Sequence, residues 1–567
     1  MGGQFVGIAY DRAVKTALAN KNGSALGRDG ENRLEPECWP ALSPSFAIQP
    51  DDKVFTIGSC FARNVENSLI ANGVKVPARE EADALNDANG ALLLNKYTPP
   101  SIFQEIDWAL ALDGRTELTE SDVADFFYYL PDGRVIDMHL HAAKPETVSD
   151  AIARRSVIAK IFNHITSSQV AVITLGYVEA WLDTKTGLFI NMAPNAQMRR
   201  GKNRFKFVKL DYVACLDYVE RAFAALKNAG IEKILVTTSP VPLQRTFTNK
   251  DVIVANNYSK SVLRAVAGAV SDASEGVDYF PSYESVMLTK QPYVWYDDLV
   301  HVQPSFVNKI MARVIQNYIP GREHEFAIAD FTSAYEVGFR DRARELYSNL
   351  GDEVLQADNF VFQTIAAEVA FSLRNHEAAR LHALSASDNG RQQALYLMRS
   401  ARVLRKIGDE EAADELESEA FALKDFGQTR AIVDFLMREQ RPNDAYRLIV
   451  TSDMSMVNDF WISRWSEIVE KVAGRQEAAD YLRSYVKDNP YAQGATWRAA
   501  QLYTRDERWD DLIDVIDMYQ ERESSAPIMK KKLHALQKLG HTDEAAALAK
   551  RVDELYPANY EQIAASS

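Results

Sequence analysis

The C-terminal part of this 567-residue chain carries a breaker residue at a fixed spacing of thirty-three positions. Each breaker lies between two amphipathic segments and is followed, in most copies, by small residues a few positions later. This pattern is typical of stacked helical hairpins, because small residues let adjacent helices approach closely. The breakers are Asn375, Gly408, Arg441, Gly474, Glu507 and Gly540.

The segments that follow the breakers are related to one another: NHEAARL, GDEEAADEL, RPNDAYRL, GRQEAADYL, ERWDDLIDV and GHTDEAAAL. A less regular copy, FRDRAREL, begins at Phe339. The pattern resembles tetratricopeptide repeats without meeting their full consensus. It predicts an all-α, tetratricopeptide-like repeat domain of about seven hairpins over residues 325–567. Because such arrays present concave surfaces that bind peptides or proteins, we expect a protein partner on the repeats.

Residues 51–320 have a different pattern, in which short apolar segments alternate with amphipathic ones. This alternation predicts an α/β domain with a parallel sheet and helices on both faces. In such sheets the ligand site lies beyond the carboxyl ends of the strands. The predicted strands begin with the cluster Val54, Phe55 and Ile57 and continue with 74–76, 170–175, 233–238 and 277–280; the predicted helices include 212–228, 258–270 and 308–318.

Two segments interrupt this alternation. Residues 1–50 are rich in Gly and Pro after the first twenty or so positions, which predicts an N-terminal arm over the first domain. The segment between Gly90 and about Ser168 contains helix and hairpin patterns, and we interpret it as an insertion that partly caps the site.

The stretch KVFTIGSCFARNVENSLIAN, from Lys53 to Asn72, changes its hydrophobic period at Gly58 and Ser59. The change predicts a buried strand, a tight turn and a helix. Ser59 would then lie at a helix N-terminus, where unpaired N–H groups and the helix dipole favour negative charge. It is a candidate nucleophile, and the alternative is that it only caps the helix. Cys60 is the rival nucleophile, because a thiolate at that position would be activated.

A serine nucleophile needs an adjacent base, commonly a histidine held by a carboxylate. Of the nine histidines, only His301 has a carboxylate three residues before it, Asp298. The pair follows the last predicted strand, which would place it at the same sheet edge as Ser59. The alternative is that Asp298 caps a helix and His301 is a partly buried surface residue.

Other polar groups are weaker candidates. His139 and His141 have a spacing that could bind a metal, but the sequence offers no convincing third ligand, so we predict neither a metal nor a cofactor. Glu179 is either an acid or base, or a first-turn carboxylate. A polar group after the fourth strand either contacts substrate or only starts the next helix: Asn256, Asn257, Ser259 and Lys260.

The composition narrows the class of partner. A net charge of -15 argues against nucleic acid or an anionic membrane surface as the main partner. Three scattered cysteines are too few for a disulfide framework and fit a reducing compartment. No apolar stretch is long enough for a signal peptide or a membrane span, so we expect a cytoplasmic location.

The motif GSCFA at Gly58 to Ala62 resembles the bacterial GSCFA domain family, and further stretches agree with it in order. These are TLGYVEAW at 174–181, SPVPL at 239–243, ANNYSKSVLRAV at 255–266, YFPSYE at 279–284 and DDLVH at 297–301. That domain resembles SGNH hydrolases, which are flavodoxin-like α/β esterases and acyltransferases. The resemblance implies a nucleophile at Ser59, a base at His301 and an orienting carboxylate at Asp298.

SGNH hydrolases share several short sequence motifs, called blocks, and this sequence departs from the third of them. Those enzymes carry Gly-x-Asn there, whose amide is an oxyanion donor, whereas Gly176 is followed here by Tyr177, Val178 and Glu179. Either Asn191 or Asn257 replaces the donor, or activity is specialised or absent, since one lost donor costs about two to three powers of ten in rate. The predicted oxyanion and substrate-binding residues are therefore Gly58, Cys60, Gly176, Glu179, Asn191 and Asn257.

The resemblance implies an ester-decorated carbohydrate as substrate, with an O-acetylated one expected. Water as acceptor would make the protein an esterase, and a sugar hydroxyl would make it an acyltransferase. The alternative from another class is a scaffold with little or no catalysis, whose repeats bind a partner protein in polysaccharide or envelope biogenesis.

Overall fold

A computed structural model describes residues 8–20, 22–23, 32–59, 61–83, 95–141, 143–195, 197–198, 203–299, 301–386, 393–423, 425–453, 457–520, 522 and 525–556. The chain divides into two compact units, residues 1–343 and 344–567. The first unit is mixed α/β, and the second is helical in its described residues.

Four parallel strands form the central sheet of the first unit, in the order β1-β4-β8-β9. A hairpin, β2-β3, and a three-stranded antiparallel sheet, β6-β5-β7, stand apart from it. The strands are β1 (Val54–Gly58), β2 (Phe127–Tyr129), β3 (Val135–Asp137), β4 (Val170–Leu175), β5 (Glu179–Asp183), β6 (Phe189–Ile190), β7 (Phe205–Lys209), β8 (Lys233–Thr238) and β9 (Val277–Tyr279).

Helices cover both faces of the central sheet, as the sequence predicts. The helices up to the boundary between the units are α1 (Tyr10–Ala19), α2 (Phe61–Ala71), α3 (Pro77–Asp83), α4 (Pro99–Ala111), α5 (Glu120–Val123), α6 (Val148–Asn163), α7 (Tyr212–Asn228), α8 (Val252–Ala273), α9 (Ser282–Leu288), α10 (Gln291–Val294), α11 (Pro304–Tyr318), α12 (Glu325–Glu336) and α13 (Arg340–Ser348), which spans the boundary. Side chains alternate along β1, so that Phe55 and Ile57 pack with α4, α6, α7 and α8, whereas Val54 packs with α2 and α11. This alternation explains why each strand reads as a continuous apolar run.

One predicted strand, 74–76, is reduced to a single bridge between Lys53 and Lys75. The Val74 N–H is taken by the Leu69 carbonyl at 2.9 Å as the chain leaves α2, and α3 already begins at Pro77. Too few residues remain between the two helices to extend the pairing. The remaining predicted strands of the central sheet are present, with their ends within a residue of the predicted ones.

The sequence did not predict the β6-β5-β7 sheet. Its strands are short, and β7 is only half buried, so it lacks the continuous apolar run that marks the central strands. The hairpin β2-β3 and the helix α4, in contrast, confirm the helix and hairpin patterns of the predicted insertion.

Residues 32–50 of the predicted arm pack on the α/β part of the first unit. The Cys38 N–H donates to Thr289 Oγ1 at 2.8 Å, and the Trp39 ring stacks on Phe306 with centroids 5.0 Å apart. The first unit also extends past the predicted boundary near residue 320. The reason is that α12 packs against α11, where Lys309 pairs with Asp330 at 3.0 Å.

The second unit consists of helical hairpins whose turns fall at the predicted breakers. A residue with positive φ lies at or next to each breaker, for example Gly408 at 88° and Glu507 at 55°. The small residues that follow the breakers are buried, including Ala379, Ala413 and Ala478. The helices are α14 (Asp352–Leu355), α15 (Phe360–Ser372), α16 (His376–Ser385), α17 (Ala394–Ile407), α18 (Glu410–Ala422), α19 (Phe426–Arg438), α20 (Pro442–Thr451), α21 (Asp459–Ala473), α22 (Arg475–Asp488), α23 (Gln493–Arg505), α24 (Trp509–Met518), α25 (Ala526–Leu539) and α26 (Thr542–Leu555).

Candidate active site

A pocket of about 440 Å³ lies in the first unit and includes residues that follow β1, β4 and β8. This position agrees with the general rule that ligand sites lie beyond the carboxyl ends of parallel strands. The insertion and the β6-β5-β7 sheet supply the rest of the wall. The lining residues include Ser59, Tyr97, His141, Gly176, Tyr177, Glu179, Trp181, Asn191, Met192, Ser239, Leu243, Arg245 and Phe247.

Ser59 lies between β1 and α2 and is only 2% exposed. Its hydroxyl oxygen accepts a hydrogen bond from the Phe61 N–H at 3.4 Å, so the capping role is real. No described residue accepts the hydroxyl proton, which leaves it available to a base. The turn requires glycine before the serine, because Gly58 has φ of 142° and a Cβ there would meet the Thr174 carbonyl oxygen at 2.2 Å.

The backbone N–H groups that we expected to hold an oxyanion are already paired. The Ser59 N–H donates to the Thr174 carbonyl at 3.2 Å. The Gly176 N–H donates to the Tyr97 carbonyl at 3.1 Å, and the Tyr177 N–H donates to the same oxygen at 3.0 Å. None of these three N–H groups is free to hold an oxyanion unless its present bond opens.

Asn191 lines the pocket and joins the insertion to it. Its Oδ1 accepts from the Tyr97 N–H at 3.3 Å, and its Nδ2 donates to the Asn95 carbonyl at 2.7 Å. The second proton of the amide has no acceptor among the described residues. Asn191 therefore holds the segment Asn95–Tyr97 in place and keeps one amide N–H without an acceptor among the described residues.

Glu179 holds the loop between β8 and α8 over the pocket. One carboxylate oxygen accepts from Thr246 Oγ1 at 2.5 Å, and the other accepts from the Phe247 N–H at 2.9 Å. Glu179 is 7% exposed. Both oxygens are engaged, so the arrangement favours a structural role over acid or base chemistry.

Replacing Glu179 by alanine is expected to loosen this loop, because two hydrogen bonds to a buried carboxylate are lost. Arg245 lies exposed in the loop, so the rate of tryptic cleavage after Arg245 should rise about tenfold or more. Glu120→Ala is the control, since Glu120 accepts a single bond from the Tyr129 hydroxyl elsewhere on the surface. Equal cleavage rates in wild type and Glu179→Ala would contradict the assigned role.

Polar residues of the segment ANNYSKS, 255–261, form hydrogen bonds with the segments that line the pocket. Ser259 Oγ accepts from the Val178 N–H at 3.0 Å, and Lys260 Nζ donates to the Gly176 carbonyl at 2.7 Å. Asn256 Oδ1 accepts from the Leu243 N–H at 3.0 Å. Asn257 lies exposed on α8, where its amide donates to the Ile253 carbonyl, and it is not among the residues that line the pocket.

The predicted Asp298 and His301 pair is formed in the loop before α11. Asp298 Oδ2 lies 2.6 Å from His301 Nδ1, and Oδ1 accepts from the His301 N–H at 3.0 Å. The loop is closed by pairing of Trp295 with Val302. With Nδ1 held in this way, Nε2 is the ring nitrogen that the pair leaves for another partner. Neither residue is among those that line the pocket with Ser59.

The two histidines considered for a metal have separate surroundings. His139 is buried, with its ring 4.1 Å from that of Phe126, and burial together with the nearby Arg155 lowers its pKa far below the usual value. His141 lines the pocket with its ring 4.8 Å from that of Tyr97, and loss of solvent there lowers its pKa. Across the described residues there is no cluster of three metal-ligating side chains. Cys60 lies outside the described residues.

Sequence reasoning missed several wall residues. Tyr97 stacks on Tyr177 with centroids 5.4 Å apart, and Trp181 meets Phe247 edge to face at 5.1 Å. Ser239, which the sequence already places directly after a predicted strand at the site edge, lines the pocket as well. No sequence pattern marks Tyr97 or Phe247 as pocket residues, because long connections bring them to the pocket.

Residues 53–314 match the family model described as the GSCFA family. The matched range begins just before β1 and ends within α11, so it includes Ser59, Gly176, Asp298 and His301. A search among curated proteins returned no match.

One solved structure, from a functional characterisation of Pseudomonas aeruginosa pilF, is similar at 16% identity. The similarity covers 40% of this chain and 100% of that chain, with a TM-score of 0.19. A score this low carries no argument about fold or function. Within the described ranges, none of the helices has the length and apolar character to cross a membrane.

Proposed function

We propose that the first unit is a serine-dependent acyl-ester hydrolase or acyltransferase. The observation that carries the proposal is a buried serine with an uncommitted hydroxyl proton, located at a helix N-terminus on the floor of a pocket of about 440 Å³. The dipole of α2 favours the negative charge that develops as the serine attacks, and the exclusion of water strengthens this interaction. This setting suits acyl transfer through a covalent Ser59 ester.

The proposed reaction has two halves. In the first, Ser59 Oγ attacks the acyl carbon while His301 Nε2 takes the hydroxyl proton, and the carbonyl electron pair moves onto oxygen. Collapse of this intermediate breaks the bond to the alcohol, which leaves with the proton from His301. In the second half, water or a sugar hydroxyl gives its proton to His301 Nε2 and attacks the acyl carbon of the Ser59 ester. The bond between the acyl carbon and Ser59 Oγ then breaks, and Oγ takes back the proton from His301, which releases the acid or the new ester.

Shared packing supports the pairing of Ser59 with His301. Phe61, two residues after Ser59, lies in the same apolar cluster as Phe306, five residues after His301. Val294, which precedes the His301 loop, belongs to that cluster too. The two loops are therefore anchored in one core, on one face of the sheet.

The order of the parallel pairing supports the flavodoxin-like, SGNH-type assignment. If the bridge at Lys75 is counted as a residual second strand, the order becomes 2-1-3-4-5, with Lys75 beside β1. Flavodoxin-like sheets have this order. The location of Ser59 after the first strand fits the same scheme.

The pocket wall supports a carbohydrate ester as substrate. Tyr97, Tyr177 and Trp181 offer ring faces, and Asn191 and Ser239 supply polar groups between them. A mostly apolar wall with a few placed polar groups is the usual form of a small-molecule site. We propose an O-acetylated sugar, with water or a second sugar hydroxyl as acceptor.

Two measurements on the full chain test the proposal. Wild-type protein should hydrolyse 4-nitrophenyl acetate, and a fluorophosphonate should label Ser59. His301→Ala should lower kcat by about 1,000-fold or more, because the nucleophile loses its base. His141→Ala is the matched control and should leave kcat within about tenfold, since His141 only lines the wall. A reversed result would make His141 the base and contradict the assignment of His301.

A scaffold is the second candidate function, and a specific observation favours it. The N–H groups of Ser59, Gly176 and Tyr177 are paired, and Asp298 and His301 are not among the residues that line the pocket. In that case the tetratricopeptide-like hairpins would bind a partner protein and the pocket would bind a ligand without turnover. Absence of both hydrolysis and Ser59 labelling in wild-type protein would favour the scaffold.

A further inference from the structure

Ser239 has an unusual environment for a buried hydroxyl. It follows β8 directly, is 1% exposed and lines the pocket that contains Ser59. Its backbone N–H is satisfied by the Leu175 carbonyl at 2.8 Å, but its Oγ has no hydrogen-bond partner among the described residues. Burying an unpaired hydroxyl is unfavourable, so a buried and unpaired polar group on a residue that lines a pocket points to a ligand.

Some hydroxyls near this sheet edge are satisfied within the protein and others are not. Thr237 Oγ1 donates to the Phe280 carbonyl at 2.7 Å, and Ser285 Oγ donates to the Pro281 carbonyl at 3.1 Å. Thr174 Oγ1 and Thr238 Oγ1 have no hydrogen-bond partner among the described residues, but neither residue lines the pocket. Ser239 combines an unpaired buried hydroxyl with a place in the pocket lining.

The sheet register places Ser239 opposite Ser59 across one strand. Gly58 pairs with Thr174 on one side of β4, and Thr238 pairs with Leu175 on the other side. Adjacent strands are about 4.8 Å apart, so the two serines flank the end of β4 at roughly 10 Å between backbones. A small acyl group between them would have the nucleophile on one side and a hydroxyl donor on the other.

We propose that the Ser239 hydroxyl donates the hydrogen bond that holds the carbonyl oxygen of the bound ester. This inference rests on the proposed function, and it supplies a donor where the Ser59, Gly176 and Tyr177 N–H groups are already paired. As Ser59 Oγ bonds to the acyl carbon, the carbonyl electron pair moves onto oxygen and the Ser239 O–H donates to the resulting oxyanion. The proton stays on Ser239, so no further reactant is needed.

The test compares wild type with Ser239→Ala, Ser239→Thr and Ser285→Ala, using 4-nitrophenyl acetate and fluorophosphonate labelling of Ser59. Ser239→Ala should lower kcat about 100-fold and slow labelling similarly, with a smaller change in KM, because the bond strengthens in the transition state. Ser239→Thr keeps the hydroxyl and should recover at least tenfold of the lost rate. Ser285→Ala should leave the rate unchanged.

Thermal unfolding separates this role from a structural one. Removing an unpaired hydroxyl should leave the Tm of Ser239→Ala equal to or above that of wild type, whereas Ser285→Ala loses a paired hydroxyl and should have a lower Tm. An active wild type with Ser239→Ala equally active overturns the inference and leaves the proposed function standing. A wild type with neither turnover nor labelling overturns both. A lower Tm for Ser239→Ala with unchanged kcat would show that the hydroxyl serves only folding.

Discussion

Ser59→Ala is expected to lower ester hydrolysis by about 1,000-fold or more, since covalent catalysis needs the hydroxyl and the remaining groups give only residual acceleration. The substitution fits the structure, because Ser59 makes one long hydrogen bond from the Phe61 N–H through its side chain. The folded state should therefore lose only about 1 kcal/mol of unfolding free energy. The measurement is kcat with 4-nitrophenyl acetate, together with urea unfolding of the same preparation.

Ser282→Ala is a matched control for this variant. Ser282 is also a buried serine, and its hydroxyl is a 2.6 Å neighbour of Thr237 Oγ1 away from the pocket lining. Its loss should affect unfolding at least as much as Ser59→Ala but leave kcat within a few-fold of wild type. If Ser59→Ala retained more than a tenth of the wild-type kcat, Ser59 would not be the nucleophile.

Arg155→Leu is expected to lower the free energy of unfolding by about 3–5 kcal/mol, because it leaves the buried Asp137 carboxylate without its cation and removes one of the two cations at Glu105. Arg155 is fully buried; its Nε and Nη2 donate to Asp137 at 2.5 and 2.7 Å, and Nη1 donates to Glu105 at 2.6 Å. Lys96 adds a second cation at 2.7 Å from Glu105. Urea unfolding at pH 7 measures the loss.

The neighbouring residue supplies the control. Arg154 is 39% exposed and pairs with Glu146 at 2.8 Å on the surface, so Arg154→Leu should change the unfolding free energy by less than about 1 kcal/mol. If Arg154→Leu and Arg155→Leu lost similar amounts of unfolding free energy, burial would not be the reason for the effect of Arg155→Leu. A loss under about 1 kcal/mol for Arg155→Leu would show that solvent reaches the cluster.

The same cluster sets a pH dependence. Although burial opposes ionisation, Arg155 and Lys96 together lower the pKa of Glu105 to about 2 in the folded chain. Its contribution to stability is therefore complete above the unfolded pKa of about 4.5 and is lost as the pH falls through about 2. Without Arg155 the folded pKa of Glu105 rises, so the difference between wild type and Arg155→Leu should shrink below about pH 4.5.

The buried cluster also matters to the site. Lys96 Nζ donates to the His139 carbonyl at 2.6 Å, and the Lys96 backbone N–H donates to the Gly58 carbonyl at 2.7 Å. The charged cluster is thus linked through one residue to the turn that carries Ser59. Arg155→Leu should accordingly reduce ester hydrolysis beyond the fraction of molecules that unfold.

Local sequence determined the central strands, the turn at Ser59, the pairing of Asp298 with His301 and the repeat hairpins. Each of these features depends on residues that are close in sequence. Examples are the change of hydrophobic period at Gly58 and the three-residue spacing between Asp298 and His301. The breakers predicted the hairpins for the same reason, because a left-handed turn residue and a small helix contact recur at a fixed distance. The sequence alone therefore placed the candidate nucleophile and its candidate base.

Tertiary structure alone decided what surrounds that serine. Tyr97, His141 and Phe247 reach the pocket through long connections whose course depends on packing rather than on local period. The alignment of β1, β4 and β8 with the segment Asn95–Tyr97 decides which polar groups are paired. It pairs the Ser59 and Gly176 N–H groups and leaves the Ser239 hydroxyl unpaired. Charges such as Arg155 and Glu105 look like surface residues in the sequence, and only folding brings them together away from water.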